Sequence, residues 1–225
     1  MIVKIKRQRT PESEPYWQSF EYNGTAHAPV SAVLEAINYT DDLYDTEGNA
    51  DPRIRWECSC NQATCGGCAM VINGVPALAC ATFADEVKGD ALVLEPLSKF
   101  PVIADLTVDR SIIYENLNRA RAFLEDASKS DSRQRTQQYS VAKCLKCGLC
   151  LEVCPNYYAG GDFYGAVLAN ESYLIASQSE DKKPSIVKEY KEHFGAGCSK
   201  ALSCQTVCPM KIETITSIMK MNKRA

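Results

Sequence analysis

Two cysteine runs constrain this 225-residue chain more than any other feature. The first, Cys144 to Pro155, reads C-L-K-C-G-L-C-L-E-V-C-P: Cys144, Cys147, Cys150 and Cys154 stand at x2, x2 and x3 spacing, and a proline closes the run. The second, Cys198 to Pro209, reads C-S-K-A-L-S-C-Q-T-V-C-P and keeps the same frame. Cys198, Cys204 and Cys208 hold their places in it, and Ala201 stands where the second cysteine belongs. The first run has the spacing of bacterial ferredoxins. Three of its thiolates hold corners of one cubane, and the fourth reaches the other cluster of a two-cluster domain.

A ligand count follows from that frame. If each fourth cysteine crosses over, Cys144, Cys147, Cys150 and Cys208 complete a 4Fe–4S site, leaving Cys154, Cys198 and Cys204 for the second cluster. An alanine methyl cannot bind iron, so the simplest product is a cubane lacking one corner, 3Fe–4S. Zinc is the other metal that thiolate clusters select. Zinc knuckles pair short C-x2-C elements, whereas here a three-cysteine run closed by proline occurs in two copies, which favours iron and sulfide.

A third group of cysteines lies nearer the N-terminus. Cys60, Cys65 and Cys68 stand at x4 and x2 spacing, and Cys80 follows at x11, the plant-type pattern that binds 2Fe–2S through four thiolates. Gly66 and Gly67 let the backbone wrap such a cluster and aim amides at its sulfurs without a Cβ in the way. Cys58 is left over. It could replace Cys60, but the x4 gap favours Cys60 and leaves Cys58 as a small buried residue or as a neighbour that supports the ligands. The two histidines, His27 and His193, sit in no ligand motif, which disfavours a Rieske centre.

Around that loop the pattern is mixed. Ile2 to Lys6 alternates as a half-buried strand, with Tyr16 to Tyr22 as its antiparallel partner. Ser31 to Tyr39 has helical spacing, with Ser31 as N-cap. Met70 to Cys80 reads as a hairpin turning at Asn73-Gly74, and Ala91 to Glu95 as a last strand. The acidic stretch Thr40 to Asp51 reads as an exposed loop without the alternate spacing of an EF-hand. These elements predict a small α+β unit over 1–106, a plant-type (β-grasp) 2Fe–2S ferredoxin domain.

Pro96 to Asp109 reads as the connection to a second, all-α unit over 107–225, which carries both cubane-type sites. Ser111 to Ala127 has one apolar stripe and reads as a packing helix. Ser128 to Gln138 reads as a polar loop, Phe163 to Ser177 as a helix, and Lys182 to Tyr190 as a solvated charged segment. Ile212, Ile215, Ile218 and Met219 mark a last amphipathic helix before a basic tail, Lys220 to Arg224, which reads as solvated.

Composition narrows the function. With 25 basic against 28 acidic residues, nothing marks a nucleic-acid binder. Eleven of the twelve cysteines stand at metal-ligand spacings and must stay reduced, which argues for a reducing compartment. The start MIVKIKRQRT lacks a signal-peptide core, and no apolar run approaches the ~20 residues of a membrane span. No Walker motif, dinucleotide-binding glycine fingerprint or nucleophile–base pair is present. Such a chain stores and passes electrons between partners and does not itself transform an organic substrate.

The chain resembles the iron–sulfur subunit of the succinate dehydrogenase/fumarate reductase family over almost its whole length. The resemblance rests on C-N-Q-A-T-C-G-G-C-A-M-V-I-N-G-V-P-A-L-A-C, P-V-I-A-D-L-T-V-D, C-L-K-C-G-L-C-L-E-V-C-P and C-x5-C-x3-C-P, with the Ala201 gap matching the family's three-iron centre. It implies that Cys60, Cys65, Cys68 and Cys80 bind 2Fe–2S, that Cys144, Cys147, Cys150 and Cys208 bind 4Fe–4S, and that Cys154, Cys198 and Cys204 bind 3Fe–4S. It further implies a flavoprotein partner with covalent FAD, where succinate and fumarate interconvert. Membrane-anchor subunits, often with haem b, would hold the complex on the cytoplasmic face of the membrane. The 2Fe–2S cluster would lie nearest the flavin and the 3Fe–4S cluster nearest the quinone.

Two departures from the family pattern stand out. Many dehydrogenase members place a tryptophan of the quinone pocket shortly after the C-P, where this chain has Asn156-Tyr157-Tyr158. The chain also ends soon after its last cluster helix, leaving less of it for the anchor. The missing tryptophan favours a menaquinol-linked fumarate reductase. The competing reading is a soluble adaptor between a flavoprotein reductase and a thiol or ferredoxin partner. Thiol-dependent fumarate reductases resemble that arrangement, but carry an extra cysteine-rich region with no counterpart here.

Overall fold

Alternation along Ile2–Arg7 forms the first strand, β1. In the computed structural model it turns Val3, Ile5 and Arg7 inward and Ile2 and Lys4 outward. The structure describes residues 1–39, 42–125, 128 and 133–224, and forms two compact units, Met1–Asp109 and Arg110–Ala225.

In the first unit β1 pairs antiparallel with β2 (Tyr16–Glu21), Ile2 facing Glu21 and Arg7 facing Tyr16. Helix α1 (Val30–Ile37) buries Val30, Val33 and Leu34. Ser31, expected as its N-cap, is instead inside the helix and buried. Extended Pro29 caps it with no side-chain hydrogen bond, two residues before the expected cap, its fixed φ suiting that position. The acidic stretch is not a simple loop. Its residues β3 (Asp42–Tyr44) and β4 (Ala50–Pro52) pair as a hairpin, while Thr40 and Asp41 lie outside the described residues. Asp45 shapes that turn, accepting the amides of Glu47 and Asn49 at 2.9 and 2.8 Å. The Asn49 bond, with the others, holds its carboxyl below the usual range.

The second hairpin, β5 (Ala69–Ile72) and β6 (Val75–Leu78), turns at Asn73 (φ 44°) and Gly74 (φ 79°), the positive angles that an Asn-Gly turn supplies. β7 (Leu92–Glu95) runs parallel to β1 and antiparallel to β5, giving the mixed sheet order β2-β1-β7-β5-β6. The expected α+β architecture of strands around one helix is what the chain builds.

Pro96 to Asp109 differs from its reading as a connection. It folds into this unit as a small hairpin, β8 (Val102–Ala104) with β9 (Thr107–Val108), and buries Leu97, Phe100, Leu106 and Val108. Arg7, itself buried, is its anchor. Arg7 Nε and Nη2 reach the two oxygens of Asp105 at 2.9 and 3.2 Å, Nη1 donates to Gln18 Oε1 at 2.6 Å, and Nη2 donates to the Pro52 carbonyl at 3.0 Å. Asp105 also accepts the amides of Gln8 and Arg55. A fork and a carboxylate that satisfy each other and their neighbours can be buried together.

The second unit is helical throughout its described elements. Helix α2 (Ser111–Arg119) stops earlier than its apolar stripe predicts, with Arg121 turning to φ 51°; Asp126 and Ala127 lie outside the described residues. The polar segment expected as a loop is described from residue 133 onward, apart from Ser128. Within it α3 (Arg135–Ala142) forms and buries Gln138 and Val141. After α4 (Leu149–Glu152) comes α5 (Gly165–Gln178), buried on nearly every side, so its sequence shows no strong amphipathic stripe.

Helix α6 (Lys183–Tyr190) corrects the solvated reading of its segment, since Ile186 and Tyr190 are buried in the core with Leu168, Tyr173 and Ile212. A π-turn (Lys191–Gly195) follows, then α7 (Ser203–Thr206) and α8 (Thr214–Asn222). α8 buries Thr214, Ser217, Ile218 and Met221. Met219, expected on the buried stripe, is 55% exposed. The tail is not simply solvated, because Lys220 and Arg224 both lie over the Tyr173 ring, 5.0 and 5.5 Å from its centre.

Candidate iron–sulfur sites

The loop from Cys58 to Cys68 has no regular structure, and three of its residues take positive φ: Asn61 (50°), Ala63 (56°) and Gly66 (77°). Such alternation turns successive amides to one side, making a concavity that suits anions. The amides of Gln62 and Thr64 point at Cys60 Sγ (3.3 and 3.4 Å), that of Ala63 at Cys80 Sγ (3.3 Å) and that of Gly67 at Cys65 Sγ (3.4 Å). Only Gly66 of the two glycines has a conformation that needs glycine. A Cβ on Gly67 would meet Cys65 Sγ at an ordinary 3.7 Å, so Gly67 serves through its amide.

The four sulfurs form two pairs. Cys68 Sγ lies 3.3 Å from Cys80 Sγ, and the Cys65 thiol bonds to Cys60. Hydrogen bonds from the Thr64 side chain and the Gln62 and Thr64 amides lower the Cys60 thiol to about 6, while burial pushes Cys68 up to about 12. Cys58 stands apart in role: its thiol donates to Asn61 Oδ1 at 2.8 Å, and burial raises it.

In the second unit the two cysteine runs share one backbone. Lys146 and Lys200 take φ 55° and 60°, and Gly148 and Leu202 take 86° and 58°. Gly148 opens α4 and Leu202 opens α7, each carbonyl accepting the two amides three and four residues on. Cys154 and Cys208 then follow with matching amide bonds to Leu151 and Gln205. Ala201 therefore occupies the place of Cys147 in a repeated local geometry, and the second run loses that thiol without a rearranged loop.

All four cysteines of the expected 4Fe–4S set, Cys144, Cys147, Cys150 and Cys208, line one cavity, together with Cys204, Asn170 and Lys146. Burial raises the thiols of Cys144 and Cys147, the latter to about 11, and raises Cys150 well above the usual range. Cys204 is raised by burial, with Cys154 and Cys198 adding charge repulsion. Cys208 thus lies with the first run, and Cys204 both lines that cavity and feels the charges of Cys154 and Cys198. A dry thiol pocket ionises when a metal supplies the opposing charge, so loading such a site releases protons.

Single-ion chemistry fits this geometry poorly. Four thiolates at ~2.3 Å from one zinc lie roughly 3.8 Å from each other. Among the described residues, the three-membered metal-ligand group found within 4.8 Å is Glu189, Glu192 and His193, which includes no cysteine.

Some residues at these sites carry no sequence signal. Asn170 and Thr214 wall the cavity, and Lys146 pairs there with Glu171 of α5. Each lies on a helix face or in a loop whose neighbours in space are far away in sequence.

Fold and sites together define a two-unit iron–sulfur electron carrier. Residues 2–115 match the model of the 2Fe-2S iron-sulfur cluster binding domain, and residues 140–212 that of the 4Fe-4S dicluster domain. The succinate dehydrogenase iron-sulfur subunit of Bacillus subtilis is 29% identical over 97% of this chain and 90% of its own length. The fumarate reductase iron-sulfur subunit of Mycobacterium tuberculosis is 31% identical over 98% and 90%. A chain of the Mycobacterium smegmatis Sdh1 complex in the apo form shares the fold, with a TM-score of 0.76 at 22% identity over 99% of this chain and 94% of that one. This chain belongs to the family of succinate dehydrogenase/fumarate reductase iron–sulfur subunits. It is the redox subunit of such an enzyme complex, and its work is electron transfer.

Proposed function

We propose that the chain carries electrons between the FAD of a flavoprotein subunit and a quinone at a membrane-anchor subunit. Its clusters, when bound, each accept and release one electron, which divides the two-electron chemistry of a flavin into single steps. Cys60, Cys65, Cys68 and Cys80 hold 2Fe–2S; Cys144, Cys147, Cys150 and Cys208 hold 4Fe–4S; Cys154, Cys198 and Cys204 hold 3Fe–4S. The observation that carries this reading is the repeated backbone of the two runs, with Ala201 in the position of Cys147. A site with three thiolates in a cubane frame suits a three-iron centre.

The protein's own contribution is to hold and insulate. Amides of the Cys58–Cys68 loop stabilise negative charge on the first centre, and the apolar core packed around Cys144, Cys198 and Cys208 limits water at the other two. Among the described residues no helix is long and apolar enough to cross a membrane. The likeness to succinate dehydrogenase and fumarate reductase subunits supports an anchor subunit, with or without haem b, that holds the complex at the cytoplasmic face. Asn156-Tyr157-Tyr158 after the first C-P, in place of a tryptophan, supports menaquinol-linked fumarate reduction.

The test is to purify the complex from membranes and assay succinate-to-quinone and quinol-to-fumarate turnover, with EPR of the clusters alongside. Dominant quinol-driven fumarate reduction supports the reading in full. Dominant succinate oxidation reverses the direction, and activity in neither with all clusters intact overturns the proposed partners.

A further inference from the structure

The wall of the Cys144–Cys147–Cys150–Cys208 cavity contains one polar group whose hydrogen bonding is incomplete. Asn170 on α5 is 5% exposed and lines the cavity. Its Nδ2 donates to Thr214 Oγ1 at 3.1 Å, and its Oδ1 has no hydrogen-bond partner. A buried amide oxygen without a donor is costly, and the asymmetry has a simple resolution. The two ends of an asparagine amide have the same shape and exchange by a half-turn about the last side-chain bond. After exchange Oδ1 accepts the Thr214 hydroxyl at the same separation, and Nδ2 stands where the bare oxygen was, as a free donor. The sulfides and thiolates of an iron–sulfur cluster only accept hydrogen bonds, so a donor in the wall of its cavity has a partner once the cluster is present.

We propose that Asn170, held by Thr214, donates a hydrogen bond from Nδ2 to the cluster in this cavity and raises its reduction potential. The inference rests on the ligand assignment given above. A donor stabilises the added negative charge of the reduced state, and hydrogen bonds to cluster sulfur are among the levers that set potential. Asn170 is a positioning and tuning residue here: it binds no iron, and Asn170→Leu keeps the volume of the site while removing the donor.

The experiment is a potentiometric EPR titration of the four-iron centre in the intact complex. Asn170→Leu lowers its midpoint while its spectrum keeps full intensity and the other two centres keep their midpoints. An unchanged or raised midpoint at full intensity overturns the proposal. A second measurement needs no variant. With nitrogen-15 placed in asparagine side-chain amides of the wild-type complex, pulsed EPR of the reduced four-iron centre shows a nitrogen-15 coupling, and its absence overturns the proposal. A wild-type complex lacking any four-iron signal would instead defeat the ligand assignment, so the two failures are told apart.

Discussion

Arg7 and Asp105 form a two-point ion pair with both side chains almost wholly buried, at 2.9 and 3.2 Å. It joins the first strand to the turn between β8 and β9, ninety-eight positions away in the chain. That turn holds Asp105 at φ 48°, a conformation maintained by the amides and guanidinium that its carboxylate accepts.

Removing one partner strands the other. Arg7→Leu or Asp105→Leu alone should destabilise the first unit by about 3–5 kcal/mol, and the double substitution by less than the sum. Denaturant midpoints followed by the visible absorbance of the 2Fe–2S centre report this. Single variants with wild-type midpoints would contradict the buried-pair account.

Cys58 and Cys60 differ in what their sulfurs meet. Cys58→Ser should leave the 2Fe–2S EPR and absorption spectra unchanged, because its thiol is committed to Asn61 Oδ1. Cys60→Ser should shift both spectra or lose the centre, since hydrogen bonds from Thr64, Gln62 and Cys65 converge on that sulfur to favour its thiolate. A reversed pattern would make Cys58 the ligand.

Gly165 opens α5 at φ 70°, and an added Cβ would press on Leu151, which is 1% exposed and cannot yield. Gly165→Ala combines the left-handed strain of about 1–2 kcal/mol with that clash. Faster thermal loss of the four-iron signal than in wild type, with the 2Fe–2S signal unaffected, is the expected outcome.

Much of the site was legible because thiolate spacing is local. The two runs and the Asn73-Gly74 turn each declare themselves within a dozen residues, and the x4-x2-x11 set within twenty-one. What escaped was non-local. Arg7 continues the alternation of β1 but looks like a surface charge until Asp105 is brought beside it. Pro96 to Asp109 contains two prolines and reads as a connection, although Leu97, Phe100 and Leu106 complete a core built elsewhere. Lys182 to Tyr190 reads as solvated because its charges outnumber the two residues, Ile186 and Tyr190, that decide its burial. Asn170 has no motif at all, and only the cavity singles it out.

The central claim is that Ala201 leaves the third site one ligand short in an otherwise unchanged frame. The most direct measurement is EPR of the oxidised complex, quantified per chain, in wild type and in Ala201→Cys. The account predicts a three-iron signal in wild type. It predicts loss of that signal in Ala201→Cys, with a second four-iron signal appearing on reduction at lower potential. Absence of a three-iron signal from wild type with the 2Fe–2S and 4Fe–4S centres intact would contradict it.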